Sequence, residues 1–261
     1  MVDASLALGG VVGVVLSAGF LWVEVGRYAT PQVPVTVFDE RKLLAAYTVG
    51  LFVGVPVAAA YLLLGASFAN GALPGALLFL ATIVLVTELA QRLLVRSRYW
   101  GHVPPVPFYA VAFRAGIGGI LALGVVASYL GSVAVPAPLG LATALLTAVA
   151  LVALEVALAL LALPSTRADL PRTGGIVAGG LFGAVAFFLL GIGPTAGPIG
   201  AVAAPLVVLA GAVLTYRGRR SLLADVPPPT GAAPEEEAGA PRSYGRSAPL
   251  ASGEEPPLRA R

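Results

Sequence analysis

Four charged side chains lie inside or at the edge of long apolar stretches and are the candidate functional residues of this sequence. They are Glu88, Arg92, Arg114 and Glu155. An ionised side chain at the centre of a bilayer costs at least about 2.5–3.5 kcal/mol on insertion scales, so such charges pair with one another or serve a function. Glu88 and Arg92 are four residues apart, which places an acid and a base on neighbouring turns of one helix face. The four residues therefore predict an intramembrane polar cluster.

Two interpretations of this cluster remain open. In the first, it is a structural ion-pair network that ties three helices together and neutralises every charge. In the second, Glu155, which has no basic neighbour on its own helix, is a proton or cation site gated by Arg114. Nearby polar residues would either line a path to that site or bond only to their own helix backbones. These residues are Thr82, Thr87, Gln91, Thr143 and Thr147.

Several other chemistries are excluded by residue types that the chain lacks. It has no cysteine, which excludes thiol catalysis and thiolate metal sites, and its single histidine argues against a histidine-based metal site. The only lysine, Lys42, lies outside the seventh predicted helix and could not form a Schiff base there. No nucleophile–base pair or phosphate-binding glycine loop occurs. We therefore expect no catalytic residue, no metal and no cofactor, and a protein that is not an enzyme.

We expect transmembrane helices to carry the four residues of the cluster. The chain is 58% hydrophobic and only 11% charged, whereas about a quarter of the residues of a soluble domain are charged. A helix needs about 20 apolar residues to span the hydrocarbon core. Four uncharged runs meet this requirement. Ala4–Val23 has the length of one helix, and Leu43–Thr87, Ala115–Leu154 and Thr173–Tyr216 each have about the length of two helices and a turn.

Turn-forming residues near the middle of the three long runs divide each run into a helical hairpin. They include Asn70-Gly71, Gly131-Ser132 and Gly193-Pro194. One helix and three hairpins predict an all-α polytopic bundle of about seven transmembrane helices within residues 1–216. The predicted limits are 4–26, 43–65, 74–95, 107–131, 138–163, 175–192 and 198–216. Beyond them, residues 217–261 are rich in proline, glutamate and small residues, and we expect a disordered tail.

The basic residues predict the orientation of this bundle. All 16 lysines and arginines lie in or next to the first, third and fifth loops or in the tail. By the positive-inside rule, the N-terminus is outside and the tail is cytoplasmic. The preference for arginine over lysine and the abundance of alanine suggest a GC-rich genome, so we expect a multi-pass protein of a prokaryotic plasma membrane. The net charge of +3 then favours contact with the lipid bilayer and not with nucleic acid.

Glycines at four-residue spacing predict faces on which helices pack closely. Such small faces let helix backbones approach one another in lipid. They are Gly9 and Gly13 on the first helix, Gly50 and Gly54 on the second, and Gly175, Gly179 and Gly183 on the sixth. We expect these faces to pack within the bundle, and a homo-oligomer or a membrane-protein partner remains an alternative use for one of them.

Two hypotheses for function follow from these patterns. The first is a small transporter or an ion- or proton-responsive protein that uses the Glu/Arg cluster as its polar centre. The alternative is a non-enzymatic scaffold or subunit of a membrane complex, in which glycine faces and the tail recruit partners. The sequence does not identify a substrate.

Overall fold

Seven α-helices make up the part of the chain that the computed structural model describes, which is residues 2–25, 39–69, 73–97, 106–131, 137–163 and 172–219. They are α1 (Val2–Val25), α2 (Glu40–Ala69), α3 (Leu73–Arg96), α4 (Val106–Gly131), α5 (Ala137–Ala162), α6 (Arg172–Ile192) and α7 (Gly197–Arg219). These ranges contain no β-strand, so the predicted all-α fold with seven helices is confirmed. Residues 220–261, which are most of the predicted tail, lie outside the described residues.

The observed helix limits differ from the predicted ones by at most four residues. The start of α2 shows why they differ. The prediction began at Leu43, where the uncharged run begins, whereas the helix begins at Glu40. Asp39 explains this earlier start, because its carboxylate accepts a hydrogen bond from the backbone N–H of Arg41 at 2.9 Å. A capped first turn that carries charges extends the helix beyond the apolar run.

Five of the helices are long and apolar enough to cross a membrane by length and composition. These are α2, α3, α4, α5 and α7. The searched parts of α1 and α6 are apolar but shorter, Gly9–Val25 and Val177–Ile192. Large apolar side chains point outward, for example Trp22 (79% exposed) and Ile199 (85% exposed). An outward surface of this kind needs an apolar solvent, so the helices indicate a membrane-embedded protein.

Helix α4 is the centre of the bundle. It is the most buried of the five long apolar helices. Helices α1, α2 and α5 each make their most extensive packing contacts with α4, and α5 also packs extensively on α7. Helix α3 packs mainly on α6. Chain neighbours are therefore not always packing partners: α2 packs far more on α4 than on α3, although the sequence pattern grouped α2 and α3 as one hairpin.

Glycines allow α1 and α2 to lie directly on the backbone of α4. A Cβ atom added to Gly13 would collide with the carbonyl oxygen of Gly119, and one added to Gly50 would collide with the carbonyl oxygen of Phe113. The contact with α2 is reciprocal, since a Cβ atom on Gly116 would collide with the carbonyl oxygen of Tyr47. The backbones thus take the positions that side chains would otherwise occupy.

The other predicted glycine positions have similar partners. Gly9 lies against the backbone of Leu123 on α4, and Gly54 lies against Ile117 and Ile120 of the same helix. Gly179 and Gly183 on α6 face side chains of α3, which are Glu88 and Val84. The surroundings of Gly175, near the start of α6, lie outside the described residues.

Helices α6 and α7 are joined without a loop. A 3-10 turn, Gly193–Ala196, leads directly into α7, and Gly197 has a φ of 84°. This left-handed conformation costs a side chain steric energy that glycine avoids. The turn forms within the glycine and proline cluster that the sequence pattern indicated.

We expect Gly50→Ala to destabilise the protein and Gly19→Ala not to. The methyl group at position 50 would enter the backbone of Phe113, whereas nothing lies within 4 Å of the corresponding position at Gly19. Overpacking costs about 1–3 kcal/mol, while alanine in an open helical position gains up to about 1 kcal/mol over glycine. Thermal unfolding of both purified variants in detergent measures the difference. Equal melting temperatures would contradict the close α2–α4 approach.

Candidate functional site

Arg114 on α4 is fully buried and is the centre of the polar cluster. Its Nε donates to Oε1 of Gln91 at 2.8 Å, and its Nη1 donates to Oγ1 of Thr87 at 2.8 Å. The same Nη1 donates to Oε2 of Glu155 at 2.9 Å, which forms an ion pair. One guanidinium therefore joins α4 to α3 through two neutral side chains and to α5 through a carboxylate.

A glycine on α4 brings Glu155 within reach of Arg114. Gly118 lies one turn after Arg114, on the same side of the helix. A Cβ atom added to Gly118 would lie 3.0 Å from Cα of Val152 and 3.3 Å from Cβ of Glu155. Both distances are tighter than ordinary van der Waals contact, so a side chain at position 118 would push α5 away from the guanidinium.

Gln91 and Thr87 continue the network beyond Arg114. The side-chain amide of Gln91 donates to the carbonyl oxygen of Ala159 on α5 at 3.1 Å. The hydroxyl of Thr87 donates to the carbonyl oxygen of Val84 at 2.8 Å, so it gives its proton to its own helix and accepts from Arg114. Both side chains are buried. Their hydrogen bonds fix α3 relative to α4 and α5.

Glu88 differs from Glu155 because it has no such partner. Its side chain is only 1% exposed, yet among the described residues neither carboxylate oxygen has a hydrogen-bond partner. The carboxylate points to α6, where a Cβ atom added to Gly179 would lie 2.6 Å from Oε1. The charged groups near enough to act on it electrostatically are Arg114, Arg92 and Glu155. A buried carboxylate without hydrogen bonds is energetically costly.

Two hydrogen-bond donor groups of the cluster also lack partners. In the described part of the chain, Nη2 of Arg114 and Nε of Arg92 have no hydrogen-bond partner. The spacing of four residues between Glu88 and Arg92 suggested that they would interact, but the structure places no ion pair between them. Arg114 and Glu155 cancel each other's charge in direct contact, so the charge of an ionised Glu88 has no contacting counterion.

The four charged residues selected from the sequence therefore lie in one region with unequal roles. The sequence left Glu155 either as a member of an ion-pair network or as a proton or cation site gated by Arg114, and the structure places Arg114 in direct contact with it. Of the five additional polar residues, Thr87 and Gln91 contact Arg114. Thr82, Thr143 and Thr147 donate to carbonyl oxygens of their own helices.

A second buried polar contact was not anticipated from the sequence. Oγ of Ser17 on α1 and the hydroxyl of Tyr47 on α2 are 2.7 Å apart. Ser17 also donates to the carbonyl oxygen of Gly13 at 2.8 Å, and Gly119 leaves the space beside it, since a Cβ atom there would lie 2.6 Å from the hydroxyl. The pair joins α1 to α2 across α4. The sequence contains one indication of this contact. Ser17 lies four residues after Gly13, so it is on the face of α1 that was predicted to pack closely.

Neither a metal centre nor a known relative defines the chemistry of this region. Within the described residues, no group of three or more histidine, cysteine, aspartate or glutamate side chains could hold a metal ion. Comparison with protein-family models, with curated proteins and with solved structures finds no match to this chain. A functional assignment therefore depends on the geometry of the cluster.

We expect Glu155→Gln to destabilise the protein strongly and the matched variant Glu88→Gln to leave stability unchanged or higher. The first substitution leaves the buried charge of Arg114 without a counterion, which costs about 3–5 kcal/mol. The second removes a carboxylate that has no hydrogen-bond partner among the described residues. Unfolding of both variants in detergent provides the test. A Glu88→Gln variant as unstable as Glu155→Gln would mean that both carboxylates belong to one ion-pair network.

Proposed function

We propose that this protein is a small ion-coupled membrane protein, a transporter or an ion-responsive protein, and that it binds a proton or a cation at the Glu/Arg cluster of α3, α4 and α5. The observation that carries this proposal is the buried carboxylate of Glu88, which has no hydrogen-bond partner among the described residues. Ionisable residues in transmembrane segments commonly mark ion pathways and proton relays.

The distribution of charge supports binding of a positively charged species. When ionised, Glu88 and Glu155 carry two negative charges, and Arg114 and Arg92 carry two positive charges, but of the two bases only Arg114 forms an ion pair with one of these carboxylates. Since Arg114 already contacts Glu155 at 2.9 Å, and Arg92 acts on Glu88 only without direct contact, an ionised Glu88 has no ion-pair partner among the described residues. A proton or a monovalent cation would compensate it, which avoids leaving a bare charge in an apolar interior.

The short distance along α3 between Glu88 and a partly exposed side chain supports the same proposal. Arg92 lies one helical turn beyond Glu88 on α3, toward the predicted cytoplasmic end, and its side chain is partly exposed whereas that of Glu88 is buried. An ion that enters from that end would have to travel only about one helical turn, roughly 5.4 Å, from a partly exposed side chain to the buried carboxylate.

The scaffold alternative receives less support from the glycine faces. Gly9, Gly13, Gly50 and Gly54 lie against α4, and Gly179 and Gly183 lie against α3. These six glycines are therefore used inside the bundle and do not form a face that is free for another protein. A scaffold function would need to use the outward apolar surfaces or residues 220–261.

We expect the melting temperature of the wild-type protein in detergent to depend on pH or on one monovalent cation. A ligand that binds only the folded state stabilises it, by about 2.7 kcal/mol at one hundred times its dissociation constant. The test compares the wild type with the double variant Glu88→Gln/Glu155→Gln over a pH series and with Na⁺, K⁺ and Mg²⁺. The dependence should disappear in the double variant.

Thr147→Val provides the matched control for this experiment. Thr147 is a buried polar residue on α5, two turns from Glu155, and its hydroxyl bonds only to its own helix at Thr143. This variant should retain the ion dependence of the wild type. Proteoliposomes with a trapped pH indicator then distinguish transport from binding alone. A wild-type melting temperature that responds to neither pH nor any of the cations would refute the proposed function.

A further inference from the structure

We propose that Glu88 alone accepts the ion, that the ion is a proton, and that Gly179 on α6 determines access to it. The inference rests on the proposed function and assigns separate roles within the cluster. Glu88 is the binding group, and Arg114 with Glu155 is a fixed pair of counter-charges beside it. In the second of the two interpretations drawn from the sequence, the binding group was Glu155.

The contacts of Glu155 make it a poor binding group. Its Oε2 lies 2.9 Å from Nη1 of Arg114, and the two side chains are 1% and 0% exposed. Adding a proton to Glu155 would remove the counterion of a buried guanidinium, which cannot lose its own charge. Close packing of Gly118 against α5 also leaves this carboxylate little room to change partners.

The surroundings of Glu88 favour a proton. The charged groups around it are Arg92 on α3 itself, Arg114 on α4 and Glu155 on α5. The described residues of α6 from Val177 to Ile192 carry no charge, and neither does α2 from Leu43 onward. A proton converts the unpaired carboxylate to a neutral acid by forming one O–H bond, so the site then needs no further charge compensation.

A metal ion fits the same surroundings poorly. Hard divalent cations in proteins take about six to eight oxygen ligands, and Glu88 brings two. No described group of three acidic or histidine side chains exists to complete such a site. Two guanidiniums act on this carboxylate, and each would repel a cation that keeps its charge. Protonation needs no set of ligands, and it removes the cost of burying a charged carboxylate without hydrogen bonds, although the two guanidiniums oppose it as they oppose a cation.

Gly179 is the contact that closes the site from α6. Because it has no side chain, the backbone of α6 lies directly on the carboxylate, and a methyl group there would lie 2.6 Å from Oε1. A small displacement of α6 from α3 would uncover Glu88 without breaking any hydrogen bond of the carboxylate. A Cβ atom added to Gly183, one turn along the same face, would meet apolar methyl groups, those of Val84 at 3.0 and 3.1 Å and Cδ1 of Leu158 at 3.2 Å.

Infrared difference spectroscopy on the full chain in lipid nanodiscs tests the assignment of the proton. The wild type should show a carboxylic acid C=O band that disappears as the pH is raised. Glu88→Gln should lose this band, and folded Glu155→Gln should retain it. A band that persists in Glu88→Gln, or that is lost only in Glu155→Gln, overturns the inference but leaves the proposed function intact.

The pair Gly179→Ala and Gly183→Ala tests the role of α6. Alanine at position 179 should shift the midpoint of the band by on the order of one pH unit or slow its response to a pH jump, while alanine at position 183 should do neither. Equal effects of the two variants would contradict a specific role for Gly179. If the wild type lacks a titrating band but is stabilised by a cation, the proton assignment is wrong and the proposed function survives. If it shows neither response, both fail.

Discussion

The buried guanidinium of Arg114 determines how α3, α4 and α5 are arranged relative to one another. An arginine side chain has five N–H groups and no acceptor, and α4 offers it no partner of its own. Helix α3 must therefore bring Thr87 and Gln91, and α5 must bring Glu155, to the same depth. Apolar contacts alone would not fix this register, because lipid tails are as apolar as the side chains that they would replace. The directional bonds of one side chain define how three helices are rotated and how far each is shifted along its axis.

The helix that carries this charge is also the helix that its neighbours approach most closely. Gly116 and Gly119 admit the backbones of α2 and α1, and Gly118 admits α5. Close packing on several sides keeps Arg114 away from lipid and from bulk water. Electrostatic interactions are stronger in such an environment than in water, so pairing with Glu155 and the lack of pairing at Glu88 both have larger energetic consequences. Glycines within five residues of Arg114 on α4 thus set the conditions under which the charged groups interact.

The sequence was sufficient for the helices and only partly sufficient for the site. The lengths of the uncharged runs, compared with the thickness of a bilayer, and the turn residues within them predicted the number of helices and their limits. Both features can be read from the sequence without knowing how the helices pack. Charged residues in or beside the apolar runs predicted that Glu88, Arg92, Arg114 and Glu155 form one polar cluster. Which carboxylate contacts Arg114 depends on helix adjacency and rotation, and the hairpin pattern did not contain that information. The importance of Gly118 and Gly179 was equally hidden, since a glycine indicates close approach but does not identify the atom that approaches.

The central position of α4 has a consequence for how the protein is made. Helices α1 and α2 leave the ribosome first, yet the backbone grooves that they occupy belong to α4, and α3 likewise packs mainly on α6. The early helices must therefore enter the bilayer and remain there without their final neighbours until later segments are synthesised. Assembly of this bundle is then a rearrangement of helices already in the lipid, and it cannot proceed by stacking each new helix on the one before it.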